Sequence, residues 1–168
     1  MEENMISKTM QDAINEQINK EMFSSYLYLS MAAYFEGDNL SGFGNWLHIQ
    51  AHEENEHAMK LYSYLLERGG KVELKGIAAP QTSWASAMEA VKEVQKHEQY
   101  VTKSIHDLYE VALTEKDYAT QVFLHWFIAE QVEEEANAAA ILESMERIEA
   151  HNTAILMLDH NLAKRKAD

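Results

Sequence analysis

The sequence predicts an all-α fold: a four-helix bundle with one long crossover and a short fifth helix at the C-terminal end. Three observations carry this. One proline and six glycines in 168 residues leave too little turn chemistry for a β-rich chain. The glycines cluster, at Gly37, Gly42 and Gly44, at Gly69-Gly70, and at Gly76 ahead of Pro80. Between these clusters apolar residues recur at steps of three and four, the period of a helix with one buried face. The length fits one domain spanning 1–168, and 46% hydrophobic with 25% charged residues is the balance of a folded globular chain.

Each element has its own signals. The first helix spans roughly 7–35, with Ser7 as N-cap and Gly37 just past its end. The second spans roughly 40–68 and stops at Gly69-Gly70. The third covers roughly 83–113. The fourth covers roughly 117–147, with Asp117 as N-cap. The fifth, roughly 152–165, ends in Lys164, Arg165 and Lys166, which suit the negative end of a helix dipole. Helices of about 30 residues are about 45 Å long. The short first and third links make two antiparallel hairpins. The link at 69–82, fully extended, reaches roughly 40 Å or more. It passes the length of the bundle and leaves the second and third helices parallel.

Charge and composition narrow the function. There are 28 acidic and 14 basic residues, a net charge of −14, which argues against nucleic acid and anionic membrane surfaces and favours cations as partners. The absence of cysteine excludes disulfide scaffolds, iron–sulfur clusters, thiolate zinc sites and cysteine nucleophiles. The longest uncharged stretch, Met22 to Phe35, is too short to span a membrane. The acidic, polar start MEENMISKTM is unlike a signal peptide, so a cytoplasmic location is expected.

The informative residues are carboxylates where the core should be. Glu21 shares a stripe with Ile14, Ile18, Ser25 and Tyr28; Glu54 and His57 share one with Leu47, Gln50, Leu61 and Leu65. Glu98 lies among Val91, Val94, Val101 and Ile105, and Gln131 and Glu134 among Leu124, Phe127, Ala138 and Ile141. All are near mid-helix, so packed helices of similar length bring them to one level. A buried, unpaired carboxylate costs several kcal/mol, of the order of a domain's whole stability. Four inward Glu with no inward Lys or Arg are therefore protonated or neutralised by cations, and two divalent metals balance four carboxylates.

The run AHEENEHAMKLY with its Glu54-x-x-His57, Glu21 in NKEMFSSYLY, Glu98 in QKHEQYVT and EQVEEE at 130–135 resembles the bacterial non-haem ferritins over essentially the whole chain. A Glu from each of two helices plus Glu-x-x-His motifs from the others is the ferritin-like di-iron pattern. Here the second motif is Gln131-x-x-Glu134, and Asn55 stands where haem-binding relatives place a Met, so the haem-free branch is the closer match. The resemblance implies a first iron on Glu21, Glu54 and His57. It implies a second bridged by Glu54 and bound by Glu98 and Glu134, with Gln131 beside it and Tyr28 close by. A third iron is implied at Glu53, Glu130 and Glu133 with shared Glu134. It further implies oxidation of Fe(II) by dioxygen or peroxide, storage as ferric mineral, no haem, and self-assembly into a cage of 24 subunits. In that cage the fifth helix packs through Ile155, Leu156, Leu158 and Leu162, and a three-fold pore lies near Glu115, Asp117, Thr120 and Gln121.

Taken singly, Tyr28 reads as core, Gln131 as a surface amide and EQVEEE as a solvated acidic face; the weight rests on Glu21, Glu54, His57, Glu98 and Glu134 together. Of the other histidines, His48 and His52 are four apart but are expected to lack a carboxylate on their face to complete a site, and His97 has no pairing at ligand spacing. Three rivals stand beside this reading. A rubrerythrin-type di-iron peroxidase normally carries a four-cysteine iron domain. A DNA-protecting mini-ferritin places its iron between subunits. A metal-free helical interaction protein of cytokine type needs two long crossovers where this chain has one.

Overall fold

The computed structural model describes residues 5–148 and 151–168, without the side chain of Asn152. The N-terminal residues 1–4, part of the stretch read as unlike a signal peptide, lie outside the described residues. Five helices follow in order: α1 (Lys8–Gly37), α2 (Ser41–Glu67), α3 (Ala87–Thr114), α4 (Tyr118–Ile148) and α5 (Asn152–Leu162); there is no strand among the described residues. No described helix is long and apolar enough to cross a membrane.

The caps explain the boundaries. The Ser7 hydroxyl accepts from the Met10 N–H at 3.1 Å, as expected. Asp117 accepts from the Thr120 N–H at 3.1 Å and so caps α4. At the start of α3 the cap is Ser86, accepting from the Glu89 N–H at 3.2 Å, so the helix begins four residues later than the predicted 83. Gly37 is the last residue of α1 rather than the residue beyond it. The left-handed position is Asn39 (φ 59°), and the Leu40 N–H reaches back to Phe35 O at 2.9 Å. Lys116 (φ 55°) plays the same part after α3, and Gly69 (φ 72°) after α2. Helix α5 stops at Leu162, short of the predicted 165, so Lys164, Arg165 and Lys166 lie beyond it.

The crossover fixes the topology. Residues 70–86 have no regular structure, and they are tied to polar side chains of α1 in rising order. Gln11 accepts from the Lys71 N–H, Asn15 bonds both Lys71 O and the Glu73 N–H, Asn19 donates to Gly76 O, and Ser30 donates to Gln81 O. The strap therefore runs alongside α1 in the same direction. Helix α3 starts where α1 ends and lies antiparallel to it: Tyr28 meets Glu98, Ser24 meets His97, and Gln17 lies near Ser104. Helices α2 and α3 are thus parallel, as the long link predicts.

The core is two apolar clusters. One gathers Tyr28, Phe35, Phe43, Leu47, Val91 and Met145; the other gathers Ile14, Ile18, Leu61, Leu65, Ile105 and Phe127. Between them lies a buried polar layer that includes Glu21, Gln50, Glu54, His57, Glu98, Gln131 and Glu134.

Candidate metal centre

The four bundle helices each deliver their mid-point side chains to this layer. Exposure is 1% for Glu21 and Glu98, 0% for Glu54, and 5% for His57 and Glu134, so solvent stabilises none of these groups appreciably. Three sets of ligand atoms each fall within 4.8 Å of one another: Glu21, Glu54 and His57; Glu54, Glu98 and Glu134; and His57, Glu130 and Glu134. Each pair of sets shares one residue. Glu54 joins the first two, His57 the first and third, Glu134 the second and third.

Amides, not cations, hold the carboxylates. Gln17 donates to Glu21 Oε1 at 2.8 Å, Gln50 to Glu134 Oε2 at 2.6 Å, and Gln131 to Glu98 Oε2 at 3.2 Å. An amide fixes a carboxylate's direction without supplying the charge that a Lys or Arg would. One oxygen of Glu21 and one of Glu54, the Oε2 atoms, are fully buried and have no hydrogen-bond partner. Glu54 Oε2 lies 3.3 Å from His57 Nδ1, so the two atoms face a common point. Buried oxygens of this kind are costly unless a proton or a cation meets them. The set of oxygen and imidazole donors without sulfur suits iron, and also zinc or manganese.

Electrostatics agree. Burial, then the charges of Glu98, Glu21 and Glu134, pushes the Glu54 carboxyl well above the usual carboxylate range. Burial likewise lifts Glu98 to about 7, against the opposing hydrogen bonds from Tyr28 and Gln131, and Glu134 to about 8. Without metal these groups hold protons; a divalent cation replaces the protons as counter-charge. The Tyr28 hydroxyl donates to Glu98 Oε1, and burial with the nearby carboxylates raises its own pKa well above 10, so it remains a donor. Behind it, His97 lies edge-on to the Tyr28 ring at 5.6 Å and hydrogen-bonds Ser24 at 2.8 Å; burial lowers it to about 4 and keeps it neutral.

The sequence-predicted residues divide as follows. Glu21, Glu54, His57, Glu98 and Glu134 come together, with Tyr28 and Gln131 bonded to Glu98. Of the third set, Glu130 lies 3.9 Å from His57 Nε2, whereas Glu133 is exposed and Glu53 is paired with Arg165 at 2.8 Å. Among the described residues neither Glu53 nor Glu133 falls in a ligand cluster. Near the pore implied at the third link, Asp117 pairs with Arg68 at 3.0 Å and Thr120 is buried against Tyr64. Sequence reasoning passes over Gln17 and Ser24, reads Arg165 only as a helix-end cation and leaves His97 without a role. Gln17 had a faint signal, lying one helical turn before Glu21.

Comparison with known proteins agrees with this geometry. The ferritin-like domain matches residues 11–148. A bacterial non-heme ferritin of Bacteroides fragilis is 44% identical over 161 residues, covering 96% of this chain and all of that protein. One from Staphylococcus aureus is 38% identical over 164 residues, covering 98% and 99%. Among solved structures, an engineered closed form of the Archaeoglobus fulgidus ferritin superposes with a TM-score of 0.96 at 48% identity, covering 97% of this chain and 99% of that one. The open-pore ferritin of the same archaeon gives 0.95, also at 48% identity, covering 96% and 98%. With its four-helix bundle, single crossover and whole-length match, this chain belongs to the ferritin family.

Proposed function

We propose that the protein stores iron in a cage of 24 subunits and oxidises Fe(II) at the centre within each bundle. The carrying observation is the pair of buried oxygens on Glu21 and Glu54 without a hydrogen-bond partner among the described residues, within a cluster where carboxylates outnumber imidazoles and no Lys or Arg of the described residues enters. Glu21, Glu54 and His57 take one ferrous ion, and Glu54, Glu98 and Glu134 take the second. Two ferrous ions on a shared carboxylate each give one electron, and dioxygen accepts two electrons and two protons to reach hydrogen peroxide. With hydrogen peroxide as oxidant the same two electrons, with two protons, yield two molecules of water. The chain's part is to hold the two ions side by side, to keep the carboxylates directed through Gln17, Gln50 and Gln131, and to exclude bulk water. Hydrolysis of the ferric product gives mineral.

The net charge of −14 supports a wall that draws ferrous ions inward, and the whole-length similarity to ferritins supports the cage. Iron is cargo and substrate; no haem is invoked, and a cytoplasmic location fits the chemistry. The test is anaerobic ferrous titration followed by air, read with native mass. Two tight irons per subunit, rapid oxidation and a 24-subunit mass are expected. Glu54→Ala and His57→Ala should stay assembled and oxidise slowly; oxidation kinetics unchanged in both variants would overturn the assignment.

A further inference from the structure

The chain beyond α5 returns to the metal centre, and the way α5 is docked explains how. The first turn of α2 has no cap of its own, because its N-cap position is Leu40. Asp159 of α5 supplies one, accepting from the Phe43 N–H at 3.0 Å. Gly42 permits this approach: a Cβ there would sit 1.6 Å from the Asp159 carbonyl oxygen. The Asn45 side chain then bonds the carbonyls of Leu162 and Arg165, both at 3.1 Å, and turns the segment back along α2.

Arg165 is thereby laid over one face of α2. Its guanidinium donates to Trp46 O at 3.2 Å, Gln50 Oε1 at 3.1 Å and Glu53 Oε2 at 2.8 Å. These residues are spaced by four and three, so a single fork spans two helical turns. Two consequences follow from donor chemistry alone. A guanidinium only donates, so it fixes the Gln50 oxygen toward itself and the Gln50 nitrogen toward Glu134 (2.6 Å) and Glu54 (3.4 Å). It also occupies the Glu53 carboxylate, which stands beside the cluster containing Glu130, His57 and Glu134 without joining it. The pair is well shielded, with Arg165 24% and Glu53 16% exposed.

We propose that Arg165 is a positioning residue of the metal centre: it withholds Glu53 from cations while directing Gln50 at Glu134. The inference rests on the metal-binding reading given above. Arg165 takes Glu53 Oε2 and its charge lowers the attraction of that carboxylate for a second cation, so a cation that recruits Glu53 competes with Arg165. Guanidinium does not lose its proton in a protein, so Arg165 stays charged and a competing cation is what draws Glu53 away from it. Two effects of opposite sign follow. Loss of Arg165 frees Glu53 and tightens the weakest cation position, and it also loosens Gln50 and weakens the tight ones.

Zinc(II) titration of the metal-free full-length assembly, followed by calorimetry, tests this without relying on oxidation. Glu53→Gln identifies which equivalent belongs to Glu53. In Arg165→Gln that equivalent should tighten about tenfold while the two tight equivalents weaken about fivefold or more, the range of an ordinary coupling between sites. Arg165→Lys, which keeps the charge on Glu53 but lacks the fork to reach Gln50, should leave the weak equivalent near its original affinity and still weaken the tight pair. The double variant Glu53→Gln/Arg165→Gln should lose the gain. A weak equivalent unchanged in Arg165→Gln, or all equivalents weakening together, would overturn the proposal while leaving the metal centre intact. Absence of any tight equivalent in the unmodified protein would overturn the metal-centre reading itself and this inference with it.

Discussion

Tyr28 of α1 donates its hydroxyl proton to Glu98 of α3 at 2.5 Å, with Gln131 of α4 bonded to the other carboxylate oxygen. One carboxylate thus joins three helices, and both its oxygens are already directed before any cation arrives. Removing the phenol leaves Glu98 held by one amide. Tyr28→Phe is expected to weaken the second metal position and slow oxidation by about 10–100-fold, as for other outer-shell partners. The fold should survive, because one hydrogen bond contributes about 1 kcal/mol. Stopped-flow oxidation beside thermal unfolding separates the two effects.

Stability of the metal-free protein should fall as pH rises. Glu98 and Glu134 titrate near about 7 and about 8 in the folded state, against 4.5 when exposed, so the folded state binds more protons across that interval. Their contribution is intact below about pH 4.5 and is lost as pH climbs through the folded values. Saturating divalent metal should flatten or reverse the slope. A metal-free melting temperature that rises steadily from pH 5 to 8 would contradict the burial of these carboxylates.

Glu54 is costly to the metal-free protein, and the proposed function makes it the carboxylate that two ions share. Glu54→Gln keeps the shape, removes the cost of protonating a buried carboxyl, and should raise the metal-free melting temperature by a few degrees. The same variant should lose most of the stabilisation that metal gives the unmodified protein. Differential scanning calorimetry with and without zinc(II) reads both.

Helix α5 is held by backbone proximity as much as by side chains. Gly42→Ala forces a Cβ into the Asp159 carbonyl, so α5 must lift or α2 must shift. Assembly and the protease resistance of α5 should both suffer, whereas the first oxidation step should change less. Removing α5 altogether should act in the same direction. An intact, fully stable cage in both variants would count against the packing role of this helix.

Asp117 caps α4 and pairs with Arg68, a largely buried contact that also engages Tyr64 and Thr120. Asp117→Ala should cost about 2 kcal/mol of subunit stability, combining a lost cap with a lost charged hydrogen bond. Chemical denaturation is the measurement.

The helices and the inward carboxylates were legible because both depend on local period. A charge on an apolar stripe is costly enough that Glu21, Glu54, Glu98 and Glu134 point to a shared counter-charge even without coordinates. The crossover was legible from its length. What could not be read depends on contacts distant in sequence. Arg165 looked like a helix-end cation; its role becomes visible only once Asp159 and Asn45 bring it onto α2. The start of α3 was misplaced because Ser83 and Ser86 are equally good caps by composition. The stops at Asn39 and Lys116 lack a glycine to mark the left-handed residue. Glu53 followed its motif, but its partner lies 112 residues away.

The three ligand sets form a closed triangle whose corners are Glu54, His57 and Glu134, each side chain owned by two sets at once. Filling one set therefore draws on donors the other two require. Binding curves for successive ions will not decompose into independent isotherms, and whichever ion arrives first dictates the denticity left for those that follow.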